Sequence, residues 1–97
     1  MSNFDQNLCE SVLLDVLHER RRQHSKWGEQ NHDDGTWALI LQEEVGEWGE
    51  ACLDQKFSST SDERALEEII QVAAVAVQIA EIIYRRRGRP VIGKETS

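Results

Sequence analysis

The chain has 97 residues, enough for one domain, and folded alone it would bury only roughly 60% of the surface that its unfolded form exposes. Eighteen acidic against eleven basic residues give a net charge of −7, which argues against a general nucleic-acid binder. No apolar run approaches the roughly 20 residues of a membrane span and no signal peptide is visible, so the chain reads as cytoplasmic, with reduced thiols.

One proline, Pro90, leaves the whole interior free to be helical. The first segment spans about 4–26, with Leu8, Val12, Leu13, Val16 and Leu17 recurring at three and four residues and Asn3 or Asp5 as its cap. A polar loop then runs through Gly35. The second segment spans about 36–55 with Thr36 as N-cap, and Trp37, Ile40, Leu41, Val45, Trp48, Ala51 and Cys52 form its apolar face. Thr60 and Glu63 have capping-box spacing at the head of a third segment, about 61–87. That segment is apolar on most of its circumference from Ile69 to Ile83, which asks for several neighbours. Residues 88–97 read as a loose tail. The expected architecture is all-α, a single domain over 1–97. Two neighbouring helices are too few to cover the third, so a four-helix-bundle core is expected to be completed by homo-oligomerisation, as a dimer or tetramer.

Charge is unevenly placed. Eight of the eleven bases lie in two clusters, Arg20, Arg21, Arg22 and Lys26, then Arg85, Arg86, Arg87 and Arg89. Between Trp27 and Tyr84, thirteen acids face two bases, a local −11 that should attract cations. On a helical wheel of the second segment, Glu44 falls in the middle of the apolar face and Glu47 on its border. The third segment repeats the device with Glu68 and Gln71. An ionised carboxylate inside an apolar stripe is costly unless something cationic meets it. Packed antiparallel, the two helices would bring Glu44, Glu47, Glu68 and Gln71 together as oxygen ligands suited to Mg²⁺. Two bland alternatives are a solvated acidic face and an internal ion pair, with Arg64 one turn before Glu68.

The run Glu43-Glu44-Val45-Gly46-Glu47, followed by Glu67-Glu68-Ile69-Ile70-Gln71, resembles the ExxE…ExxD signature of MazG-like all-α nucleoside triphosphate pyrophosphohydrolases. Lys26-Trp27-Gly28-Glu29-Gln30-Asn31-His32 resembles the family's pre-helix loop, and the likeness extends over roughly residues 20–84. The resemblance implies Mg²⁺-dependent cleavage of an NTP or dNTP to the monophosphate and pyrophosphate, in a dimer or tetramer, as nucleotide-pool housekeeping. It implies metal-binding roles for Glu44, Glu47 and Glu68. Gln71 stands where the family has aspartate; its amide oxygen can coordinate a metal and cannot take a proton from water. Glu44 and Glu47 are then the candidates for activating the water. The alternative is a catalytically impaired helical protein that serves as a nucleotide-binding or protein-interaction module.

Candidate substrate contacts are Arg22 and Lys26 for phosphate oxygens, Trp27 for stacking on a base, and His32, which the resemblance places near the nucleotide. Trp37 and Trp48 are expected in the core, and Tyr84 and Gln78 as possible pocket-lining residues. The Arg85–Arg87 run complements a helix C-terminus and needs no nucleic acid. Cys9 and Cys52 have no metal or redox spacing and read as packing residues.

Overall fold

The structure, a computed structural model, describes residues 3–58 and 61–93. These form three helices: α1 (Gln6–Trp27), α2 (Asp34–Ser58) and α3 (Glu63–Arg87). The all-α expectation holds, with helix ends moved by a few residues. Asp5 caps α1, its carboxylate accepting from the Leu8 amide at 2.9 Å. α2 begins two residues before the expected start. Asp33, not Thr36, is its cap: the Asp33 carboxylate accepts the Thr36 amide at 2.8 Å, and its carbonyl accepts from Trp37. That bond to Thr36 holds the Asp33 carboxyl below the usual carboxylate range. α3 starts at Glu63 after Asp62, and Thr60 of the expected capping box lies outside the described residues. Gly88, left-handed at φ 64°, ends α3 with its amide on the Arg85 and Tyr84 carbonyls. Residues 88–93 of the expected tail are non-helical and exposed; 94–97 lie outside the described residues.

α3 is the central element, with α1 and α2 each packed on it and no close backbone approach between those two among the described residues. Ion pairs set the directions. Asp54 meets Arg64 and Asp34 meets Arg86, so α2 runs antiparallel to α3. α1 runs parallel to α3: Asp15 and Glu19 flank Leu66 to Gln71, while Arg20 reaches Glu81. All three helices therefore share one end, near Trp27, Asp34 and Arg87.

The core is small: Val16, Trp37, Ala51, Ala65, Ala74 and Val75 are buried. Of the expected apolar face of α1, only Val16 is covered; Leu8, Val12, Leu13 and Leu17 are exposed. Trp48 is half-buried and Val45 exposed. Periodicity tells which residues share a face; here the described residues lay nothing on it.

The tie between α1 and α3 is a bidentate pair, Arg20 Nε and Nη2 donating to the two Glu81 oxygens at 2.9 Å each. The Arg20 side chain is 14% exposed and its Nη1 has no partner. Glu81→Ala would leave the whole guanidinium uncompensated. It is expected to lower unfolding stability by about 2 kcal/mol, read as a reduced urea midpoint at unchanged slope.

Candidate metal centre

Glu44 and Glu47 lie one turn apart on α2, and Glu68 and Gln71 one turn apart on α3. Because the helices are antiparallel, the two pairs meet at mid-height. One carboxylate oxygen from each of Glu44, Glu47 and Glu68 lies within 4.8 Å of the others. Around one octahedral magnesium, adjacent oxygens stand about 3.0 Å apart and opposite ones about 4.2 Å, so the three carboxylates would draw together to hold one ion.

The electrostatics follow from that crowding. Burial first, and then the charges of Glu47 and Glu68, push the Glu44 carboxyl above the usual range. Burial and the charge of Glu47 do the same to Glu68. Glu44 Oε2 and Glu68 Oε2 are both sealed from solvent and accept no hydrogen bond. Arg64 hydrogen-bonds Asp54, and its charge only partly offsets the rise at Glu68. The chemistry of the donor set, all hard carboxylate oxygens, fits Mg²⁺ or another hard divalent cation.

Glu44 and Glu47, but not Glu68, line a cleft of about 670 Å³, walled by α1 and α2 and floored by α3. It is lined by Glu44, Glu47 and Gln71 at one end and by Trp27, Gln30, Trp37 and Gln78 at the other, with Arg22, Gln23 and Lys26 along α1. Seven residues separate Glu44 from Trp37, and Gln71 from Gln78, so the two ends are about 10 Å apart. Lys26 and Trp27 are brought to the cleft as expected, the Lys26 ammonium standing 4.9 Å over the Trp27 ring. His32 is not among the lining residues. It packs edge-on against Trp37 instead, centroids 5.0 Å apart, because the loop leads it to the outer side of that ring.

Two further residues escape a sequence reading. Glu19 accepts two hydrogen bonds from Arg22, at 2.8 and 2.7 Å, and one from Gln23 at 3.1 Å. The Arg22 guanidinium holds the Glu19 carboxyl below its usual range, while Glu19 adds to the negative field at Glu44. Arg22 is therefore held beside the cleft by Glu19, with Nη1 outside that clasp. Gln23 has no motif; only the packing of α1 and α3 brings it to the cleft, whereas Gln78, expected to line a pocket, does line it.

No family model, no curated protein and no solved structure matches the chain. Among the described residues, no helix is long and apolar enough to cross a membrane.

Proposed function

We propose that this chain is a Mg²⁺-dependent nucleotide pyrophosphohydrolase that cleaves (d)NTPs to (d)NMPs and pyrophosphate, in nucleotide-pool housekeeping in the cytoplasm. The observation that carries the reading is the carboxylate trio, with two sealed, unpartnered oxygens, at one end of a cleft walled by cations. A polyphosphate needs both charges: metal held by Glu44, Glu47 and Glu68 on one side, Arg22 and Lys26 on the other.

Magnesium bound there would supply Lewis acidity and a lowered pKa for the attacking water. Either Glu44 or Glu47 takes one proton of that water as its oxygen attacks phosphorus at the α–β anhydride. The bridging P–O bond breaks and pyrophosphate leaves with the electron pair. Lys26 and Arg22 neutralise charge on the non-transferred oxygens, and Glu19 keeps Arg22 in place. Gln71 contributes at most an amide oxygen. The test is product analysis by anion exchange after incubation with Mg²⁺ and a panel of NTPs and dNTPs. Monophosphate plus pyrophosphate, lost with EDTA, is expected. Diphosphate plus phosphate would contradict cleavage at the α–β anhydride, and no turnover by folded protein favours the alternative of a nucleotide-binding or interaction module that lost catalysis at Gln71.

A second copy completes this account. The accessible surface is 7877 Å², against about 5,650 Å² for a compact monomer of this mass. The radius of gyration is 15.9 Å, against about 12.5 Å for a compact 97-residue domain. Leu66, Ile69, Ala73, Val77, Ala80 and Tyr84 form one stripe along the side of α3 turned away from Ala74, Val75 and Gln78. Its small central residues allow another helix to approach closely, so a homodimer or homotetramer would pair α3 with α3 across this stripe. Val77→Glu is expected to give a monomer by light scattering, where the parent chain is at least a dimer.

A further inference from the structure

Gln78 is 5% exposed, on the face of α3 that otherwise buries Ala74 and Val75. Its amide atoms are not among the sealed, unpartnered ones, so they keep a path to solvent. Among the described residues no hydrogen bond reaches it, and its remaining surface opens on the cleft and on the adjoining cavity behind α1. On the cleft side it shares the lining with Trp27, Trp37, Gln30 and Val75, and Lys26 stands over the Trp27 ring. This end is about 10 Å from the carboxylates, the span from a metal-bound phosphate to the heterocycle of a nucleotide.

Resting on the proposed function, we infer that Gln78 is the residue that reads the nucleobase. Its amide presents one N–H donor and one carbonyl acceptor side by side. Each nucleobase offers the matching pair on its Watson–Crick edge, and the amide can take either orientation, so the residue selects by which pairing the neighbouring walls permit. Gln30, at the same end, supplies a second amide, and Trp27 a face for the ring to stack on. An apolar residue at 78 would suit the core better. What the amide contributes is discrimination, because a base presenting the wrong edge leaves Gln78 buried and unpaired.

The test separates base reading from metal and phosphate binding. ¹⁵N-labelled protein in EDTA is titrated with adenosine, cytidine, guanosine, uridine and 3-methyluridine, which lacks the N3 donor. The Gln78 side-chain amide resonance is assigned by its loss in Gln78→Met, a substitution of similar length. That resonance is expected to shift with the preferred nucleoside, with Kd values spread at least about tenfold across the panel. In Gln78→Met the spread is expected to fall below about threefold. A purely structural glutamine would alter affinity for all nucleosides alike. An unchanged ranking in Gln78→Met, or no nucleoside binding at all, overturns the inference. Binding of inorganic tripolyphosphate with Mg²⁺ is measured in parallel on both proteins. It reads the carboxylate end alone, is expected to be the same in both, and its absence would count against the proposed function and not against Gln78.

Discussion

Glu44→Gln is expected to lower kcat by about 10²-fold or more while leaving the fold intact and raising the melting temperature of metal-free protein. Both effects come from one atom set. Glu44 Oε2 is sealed and unpartnered, beside the Glu47 and Glu68 carboxylates. With magnesium bound, that oxygen would be a ligand, and its loss would weaken the ion and misplace the water. Without magnesium the same charge opposes folding, because burial and like charges raise the Glu44 carboxyl above its usual range. A neutral isostere removes the repulsion. Steady-state kinetics and thermal melts in EDTA, on the same preparation, read the two effects. A variant less stable and fully active would show that Glu44 serves the core and not a cation.

The stability of the metal-free protein should fall as pH rises from about 5 to 7.5, and Mg²⁺ should restore it at the upper end. The direction follows from Glu44 and Glu68, both raised above the ordinary glutamate value. Such groups hold protons more tightly folded than unfolded, so their contribution is complete below the unfolded pKa and is lost as pH climbs through the folded one. Glu19 and Asp33 are lowered, and their contribution is lost only as pH falls through their depressed values, outside this window. A shift of a few °C across the window is expected for a domain of this size. Saturating Mg²⁺, at 100 times its Kd, would return about 2.7 kcal/mol at pH 7.5 and little at pH 5, where protons compete for the oxygens. In Glu44→Gln both the pH slope and the Mg²⁺ response should shrink. A melting temperature that rises over this pH range and ignores Mg²⁺ in the parent chain would contradict the trio as a cation site.

The helices were legible because α3 is so uniformly apolar and because Gly and Pro punctuate the ends. The antiparallel meeting of Glu44 and Glu47 with Glu68 was legible too, since each acid interrupts an apolar stripe at helical spacing and the two interruptions match. What escaped depends on partners distant in sequence. Glu19 looks like any solvent-facing acid of α1 until α1 lies parallel along α3 and turns it toward Glu44. Gln23 gains meaning only from the cleft that the three helices enclose. The α2 cap went to Asp33 in place of Thr36 because several capping residues, Asp33, Asp34 and Thr36, stand within one turn, and spacing alone cannot rank them. His32 was drawn to the outer side of Trp37 by the path of a loop that periodicity does not describe.

The measurement that bears most directly on the carboxylate trio is calorimetric titration of EDTA-treated, dialysed protein with Mg²⁺ at pH 7.5. The account predicts saturable binding of at least one ion per chain, and loss of that signal in Glu44→Gln. Heats indistinguishable from dilution up to millimolar Mg²⁺, or binding unaltered in Glu44→Gln, would contradict it.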